Sequence, residues 1–387
     1  MHIAIIGSGP SAFYTCQGLL KEIDNVHIDI FERLPFPFGL VRYGVAPDHQ
    51  KTKNIIKLFS KILEDEKVNF FGNINVGIDI DITLIAEMYD AVVLASGAEN
   101  DKKLSVNGEN ISGVYGASKI VGWYNGVPAN RDLNPNLNIT NAVIIGNGNV
   151  ALDCARLLAK NKEEFHSSDI TNYSLDALTK SSIKNIYIIG RRTPLEAKFT
   201  IAELREIGIL ENFSPVVEYP LDQLEKIFKI PDLETKIKKN IEILIDYKKN
   251  NNTKEGKIFF KFLYSPIEII GDKQVSSIKL CKNILNNKKL TQTNEFEEIK
   301  TGLVISAIGY NTRRINKLPL NEYKNYYLNS EGHILNNIYV TGWAADSSVG
   351  VIGSNKIAAN KIAIKISSEV FTNKNKPYDK VFEFLKE

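Results

Sequence analysis

The first nineteen residues, MHIAIIGSGPSAFYTCQGL, constrain the fold of this chain more than any other stretch. Ile3 to Ile6 is an apolar run of β type. Gly7-Ser8-Gly9-Pro10-Ser11-Ala12 reads G-x-G-x-x-A, and Phe13 to Leu20 is helix-compatible. A strand, a tight glycine turn and a helix start, in that order, make a dinucleotide-binding fingerprint. Gly7 allows the sharp turn, Gly9 lets a pyrophosphate approach the backbone, and Ala12 lets helix pack closely on strand. The helix start offers unpaired N–H groups and a partial positive charge to phosphates. A second apolar run, Val26 to Phe31, ends in Glu32, twenty residues after Ala12, where an acid takes a ribose hydroxyl. A lone glycine motif is often only a tight turn; with the strand, the helix and Glu32 it implies a bound dinucleotide.

The pattern recurs. Ala142 to Ile145 is a strand, Gly146-Asn147-Gly148-Asn149-Val150-Ala151 repeats G-x-G-x-x-A, and a helix follows from Leu152 to Ala159. The next strand, Ile186 to Ile189, ends in Gly190-Arg191-Arg192 with no acid. An acid there would hold a free 2′-hydroxyl and repel a 2′-phosphate. Paired guanidiniums do the reverse, because each grips phosphate oxygens through two N–H groups. The basic residues are mostly Lys, 39 against nine Arg, so an Arg pair at this position carries information. The alternative is a solvated surface pair. The balance favours NADP over NAD at the second turn.

At 387 residues, 43% hydrophobic and 24% charged, the chain is an ordinary globular protein of two or three domains. A formal net charge of +3 gives no argument for nucleic acid or a membrane surface. Cys16, Cys154 and Cys281 are far apart and form no C-x-x-C. That removes a thioredoxin-type redox disulfide and any all-cysteine iron–sulfur or zinc site, so no metal is expected. Sparse, odd cysteine usage fits a reducing compartment. The first strand starts at residue 3, which leaves no room for a leader, and no apolar run reaches the length of a membrane span. A soluble protein of the cytoplasm or mitochondrial matrix is expected.

The stretch Arg33 to His49 is rich in Pro, Gly and aromatics and reads as an ordered loop, with Asp48 placed to cap a helix over Gln50 to Leu63. Tyr89 to Ala98 and Leu303 to Tyr310 are buried strands with small-residue ends, suited to close approach by a cofactor. In the Lys- and Asn-rich region from Leu221 to Lys300, Lys257 to Leu263 and Val275 to Leu280 read as strands of an antiparallel patch beside the second unit. Asn250 to Asn252 and Asn286 to Lys289 read as loops. Asn337 to Gly342 leads into Trp343, and a last helix runs from Asn355 to Val370. The expected architecture is α/β, with two Rossmann-like dinucleotide domains. Residues 1–104 and 303–387 form the outer one and residues 105–302 the inserted one, because a simple tandem would leave the C-terminal strands no sheet to join.

Longer segments resemble one family. GSGPSAFYT, LPFPFGLVRYGVAPDH, VGWYNGVPANRDL, VIIGNGNVALDCARLL, IIGRRTPLEAKFTIAELRE and SAIGY are similar to the adrenodoxin-reductase type of ferredoxin–NADP reductase, a flavoprotein of the glutathione-reductase-like superfamily. The resemblance implies FAD on the first fingerprint and NADP(H) on the second. It implies that Ser11, Glu32, Leu40 and Val76 contact FAD, and that Asn147 to Val150 hold the NADPH pyrophosphate. It gives Arg191, Arg192 and Glu203 the 2′-phosphate ribose. Trp343 and the turn Gly350-Val351-Ile352 join the cofactor-binding set, and His49 and Asp153 lie near the flavin and nicotinamide. Two readings of His49 remain open, a flavin neighbour and a first-turn helix residue. Asp153 is equally a carboxylate favoured by a helix dipole. One departure stands out. After Gly342-Trp343 the family carries a basic stretch, whereas here Ala344 to Val349 includes Asp346 in place of an arginine.

The implied activity is transfer of electrons from NADPH through FAD to a ferredoxin-like iron–sulfur protein, with the cofactor supplying the chemistry and the protein its position and electrostatics. Other readings are another NADPH-dependent flavin reductase, an electron-input subunit, or a nucleotide-binding redox sensor without turnover. An acidic ferredoxin calls for a basic face. Lys236, Lys238 and Lys239, followed by Lys248 and Lys249, offer one, with Arg131, Arg205 and the rim around Asp346 as the other candidates. A monomer is expected.

Overall fold

A computed structural model describes residues 1–250, 254–287, 289–346, 353, 355–373, 376–378 and 380–384. The chain divides into two units. One contains Met1–Val45, His49–Asn100 and Tyr310–Glu387; the other contains Ala46–Asp48 and Asp101–Gly309.

In the first unit six strands lie in the order His333–Leu335, Ile338–Val340, Ala91–Leu94, His2–Ile6, His27–Phe31, Val68–Phe71. All neighbours are parallel except the first pair. Near-continuous apolar strands form such a sheet because both faces are covered. Ile3 and Ile5 pack with Phe13, Leu19 and Phe59 on one side, and Ala4 and Ile6 pack with Phe31, Tyr89 and Ile338 on the other. The C-terminal strand Ile338–Val340 pairs with Ala91–Leu94, so the outer domain is completed from the far end of the chain.

The second unit holds a six-stranded parallel sheet in the order Val114–Gly116, Leu303–Ser306, Asn141–Ile145, Asn185–Gly190, Gly256–Phe262, Phe213–Glu218. Ile144, Ile188 and Phe260 face the helices. Val143, Ile145 and Val304 pack against Ile278, Leu280 and Ile299, on an antiparallel sheet of Tyr264–Gly271, Val275–Asn286 and Lys289–Lys300.

Three expectations are revised. Lys257 to Leu263 is not part of the antiparallel patch: Gly256–Phe262 lies between two parallel strands. Its Lys261 is buried, ion-paired with Glu218 and with Glu297 at 3.0 Å. Leu303–Ser306 hydrogen-bonds into the second sheet beside Asn141–Ile145, so the units divide after Asn100 and Gly309 rather than at 104/105 and 302/303. The helix expected over Gln50 to Leu63 is two, Gln50–Lys53 and Ile56–Leu63, and its N-cap residue is His49, not Asp48. Ala46–Asp48 groups with the second unit because the Asp48 carboxylate pairs with Arg156 and Lys160, while Pro47 accepts from Asp169 N–H at 3.1 Å.

Candidate functional site

Both fingerprints fold as strand, turn and helix, and the turns share one hydrogen-bond register. Gly7 N–H donates to Phe31 O at 2.7 Å and Gly146 N–H to Ile189 O at 2.9 Å. Ala95 N–H donates to Ile6 O and Ala307 N–H to Ile145 O, each at 2.8 Å. Gly7 sits at φ +102° and Gly146 at +138°, where an L side chain is strained. A Cβ on Gly7 would stand 2.6 Å from Ala95 O, and one on Gly146 would collide with Ala307 O. The helices Pro10–Glu22 and Asn149–Ala159 begin behind glycine N-caps, Gly9 and Gly148, which supply no side-chain cap. A Cβ on either would meet nothing within 4 Å. Each helix start is thus open to an anion.

The first turn is organised by Glu32, which is 8% exposed. Its Oε2 accepts from Ser8 N–H at 3.0 Å and Ser8 Oγ at 2.7 Å, and its Oε1 from Leu34 N–H at 3.0 Å. Phe38 N–H donates to Ser8 O at 3.0 Å, which lays the proline-rich loop along the turn. Gly39 abuts Gly9 there, and Leu40, 42% exposed, begins the short helix Leu40–Tyr43. Ile74 N–H donates to Glu32 O at 2.9 Å, and Val76, two residues on, is buried. Gly342, at φ +67°, stands over Ser11, where any side chain would collide. Gly7, Gly9, Pro10, Ser11, Glu32, Leu40 and Trp343 are therefore joined through direct or adjacent contacts. Gly350, Val351 and Ile352 lie outside the described residues, and Asp346 is exposed.

In the second turn, Lys198 N–H donates to Asn147 O at 2.8 Å and Thr200 N–H to Asn149 Oδ1 at 2.7 Å. These bonds bring the segment leading to Glu203, in the first turn of Ile201–Ile209, onto Asn147 to Val150. Arg191 and Arg192 are exposed, and their side chains make no ion pair among the described residues. Their backbones are held: Asn283 Nδ2 donates to Arg191 O at 3.0 Å and Leu263 N–H to Arg192 O at 3.1 Å.

Asp153 lies on the second fingerprint helix, and its Oδ1 accepts from Arg156 Nη2 at 2.6 Å. The same guanidinium, 2% exposed, also pairs with Asp48 and, through Nε, with Glu206 at 3.1 Å. Burial pulls its pKa down, but Asp153, Asp48 and Glu206 together push it above its ordinary value. Arg156, Ser8, Gly190 and Gly342 also shape the two turns, although no motif marks them as site residues. Arg156 had a signal, one of nine arginines three residues after Asp153 on a helix. Ser8 occupies a place the motif leaves free, and Gly190 the strand end where the first turn has its acid.

Orphaned polar atoms test whether the residues fit the implied cofactors. Trp343 Nε1 and Thr341 Oγ1 in the first unit, and Asn147 Oδ1 in the second, are buried without a hydrogen-bond partner among the described residues. Buried polar groups are normally satisfied. Together with the uncapped helix starts, they fit a polar ligand at each turn. Cys16, Cys154 and Cys281 are buried and unpaired. Among the described residues no helix is long and apolar enough to cross a membrane.

The family described as pyridine nucleotide-disulphide oxidoreductase matches residues 1–192. The chain is 38% identical over 372 residues to the mitochondrial NADPH:adrenodoxin oxidoreductase of Salvelinus fontinalis, covering 91% of this chain and 74% of that protein. It is 40% identical over 370 residues to the NADPH-ferredoxin reductase FprA of Mycobacterium leprae, covering 92% and 81%. The solved structure of Mycobacterium tuberculosis FprA in complex with NADPH superimposes with a TM-score of 0.91 at 36% identity, covering 99% of this chain and 89% of that one.

Proposed function

The chain belongs to the adrenodoxin-reductase type of ferredoxin–NADP(+) reductases, and from that premise we propose how its residues divide the work. It is an FAD-containing oxidoreductase that takes electrons from NADPH and passes them to a ferredoxin-like carrier. When bound, the flavin supplies the conversion from a two-electron donor to single-electron transfers.

The first unit, Met1–Val45, His49–Asn100 and Tyr310–Glu387, is assigned to FAD, and the second, Ala46–Asp48 and Asp101–Gly309, to NADP(H). Glu32 takes a ribose hydroxyl, and the N–H groups behind Gly9 take the pyrophosphate, with Pro10 filling a helix position that needs no N–H donor. Leu40 and Val76 supply apolar contact, and Trp343 Nε1 a donor. The turn Gly350-Val351-Ile352 is assigned to the same cofactor. Gly146 to Val150 hold the second pyrophosphate, and Arg191, Arg192 and Glu203 the phosphorylated ribose. His49 and Asp153 are assigned to the reacting ends, with Arg156 keeping Asp153 oriented.

The observation that supports this division is one turn geometry built twice with opposite charge beside it: Glu32 at the first, and at the second Arg191 and Arg192, which make no ion pair among the described residues. The partner is assigned an acidic face, and the chain is assigned as a monomer. Lys236 and Lys239, exposed and without ion pairs among the described residues, form the proposed docking patch. Anaerobic reduction by NADPH, followed by a small ferredoxin and cytochrome c, tests the whole reading. The flavin band should bleach with NADPH and cytochrome c should reduce only when ferredoxin is present. Bleaching with no onward transfer would identify a sensor.

A further inference from the structure

We propose that Gly190 and Asn147 are specificity-determining residues for the 2′-phosphorylated dinucleotide, working by removing the place where an acid would stand. The proposal rests on the assignment of NADP(H) to the second turn. The two turns align through their hydrogen bonds: Phe31 O and Ile189 O accept from Gly7 and Gly146. One residue on, Glu32 therefore corresponds to Gly190, Arg33 to Arg191 and Leu34 to Arg192. In the turns themselves Ser8 corresponds to Asn147.

In the first turn, Ser8 is small enough to leave room for the Glu32 carboxylate and to donate to it twice. In the second, the Asn147 amide fills that room: a Cβ at residue 190 would collide with Asn147 Nδ2. Lys198 N–H donates to the Asn147 backbone carbonyl at 2.8 Å, which holds the main chain of this residue from the loop side. Asn147 Oδ1 stays buried without a partner among the described residues, which leaves an acceptor and no charge at the ribose step. A carboxylate here would repel a phosphate dianion; an amide over a glycine does not.

The alignment also separates the two arginines. Arg33 stands at the step of Arg191 but is tied to Glu99 through Nε at 2.6 Å. Arg192 stands where the first turn has an apolar residue, Leu34. Selectivity therefore comes from three differences: Gly190 for Glu32, Asn147 for Ser8 and Arg192 for Leu34. Two of them work by exclusion, and Arg192 adds its charge beside Arg191, whose side chain makes no ion pair among the described residues.

The test transplants the first turn into the second. Dissociation constants of NADP+ and NAD+ are measured by calorimetry on the FAD-loaded protein, so that no turnover enters the readout. The unmodified protein should prefer NADP+ by about a hundredfold. R192L should weaken NADP+ about tenfold and leave NAD+ unchanged. N147S/G190E should weaken NADP+ at least tenfold and tighten NAD+ several-fold, and G190E alone should tighten NAD+ less than the double variant does, because the Asn147 amide must swing aside for the acid. The triple variant should prefer NAD+. N147S/G190D, with a shorter acid, should shift the preference in the same direction and covers the case in which the longer side chain prevents folding. A folded double variant, with its flavin band intact and NAD+ binding no tighter than before, overturns the proposal while leaving the NADP(H) assignment standing. Equal affinity of the unmodified protein for both dinucleotides overturns the assignment and the proposal together.

Discussion

Where the first dinucleotide turn carries a buried carboxylate, the second has a glycine with an amide packed across it, yet the backbone on either side is the same. The bonds Gly7 N–H to Phe31 O and Gly146 N–H to Ile189 O differ in length by only 0.2 Å, from 2.7 to 2.9 Å. Phe13 N–H and Leu152 N–H both reach back 3.2 Å, to Gly9 O and Gly148 O. Sterics fix the turn, since a Cβ at its first glycine meets a backbone carbonyl in both units. The side chains next to it, Ser8 with Glu32 or Asn147 with Gly190, then set which ribose is accepted. Fold and cofactor choice are written in different residues of the same six-residue motif and its neighbouring strand end.

The helices after the turns differ more. Pro10–Glu22 packs its Gly18 against Ala363 of the C-terminal helix Asn355–Glu369. Asn149–Ala159 buries Arg156 among three carboxylates. Removing one member of a buried ion cluster costs about 3–5 kcal/mol, since the others stay desolvated. Arg156→Met should therefore give the largest loss of stability, seen in denaturant unfolding, with FAD retained and the Michaelis constant for NADPH raised. Arg156→Lys, with one point charge for three carboxylates, should fall between. If Arg156→Met unfolds at the wild-type midpoint, the cluster contributes nothing and the two helices are equivalent after all.

The next effect belongs to Glu32. Its truncation to alanine strands the N–H groups of Ser8 and Leu34, at about 1–3 kcal/mol for each unsatisfied buried group. Glu32→Ala should emerge from gel filtration with most of its flavin lost and bind FAD at least a hundredfold more weakly in a fluorescence titration. Retention of stoichiometric FAD would show that the carboxylate only braces the loop after it.

How far these features can be read without coordinates depends on whether a local pattern carries them. Both fingerprints, the interrupted domain order and the Arg pair are local or periodic, and the structure has them. The parallel placement of Gly256–Phe262 is not local. Lys261 makes the strand look half-solvated, and only the distant Glu218 and Glu297 explain its burial. Ala46–Asp48 departs from its flanking residues for a similar reason, since its partners Arg156 and Lys160 lie more than a hundred residues away. Gly190 was visible as a letter, but its meaning needed the register that pairs it with Glu32. The exposure of Leu40 and the burial of Val76 follow from tertiary contacts that no periodicity signals.

Arg192 and Arg33 sharpen the comparison at smaller cost. A charge-assisted phosphate contact is worth about 1.5–3 kcal/mol, so Arg192→Ala should raise the Michaelis constant for NADPH roughly ten- to a hundredfold and leave that for NADH nearly unchanged. Arg33 pairs with Glu99 at a partly exposed site, and Arg33→Ala should change FAD affinity by less than about 1 kcal/mol. Equal losses for NADPH and NADH in Arg192→Ala would show that the residue does not read the 2′-phosphate.

The smallest effect concerns the surface of the second unit. On helix Thr235–Lys249, Lys249 pairs with Glu225 at 3.0 Å, Lys248 donates to Val217 O at 2.8 Å, and Lys238 lies over the Phe228 ring. Lys236 and Lys239 have no such partner among the described residues and, three apart, project from the same side of the helix. From 221 to 257 there are nine Lys and seven acidic residues, so the face becomes basic only through this local segregation. Steering by two exposed charges acts over ~10 Å at 0.1 M salt. Lys236→Glu with Lys239→Glu should slow ferredoxin-dependent cytochrome c reduction several-fold at low salt, and the difference should fade as salt rises. Ferricyanide needs no docked partner, so its rate should stay within about twofold of the unmodified protein's at every salt concentration. If both acceptors slow together, the substitution has damaged the unit rather than its surface. If neither slows, docking belongs to Arg131, Arg205 or the rim at Asp346, and reversing those charges in turn identifies the face that meets the partner.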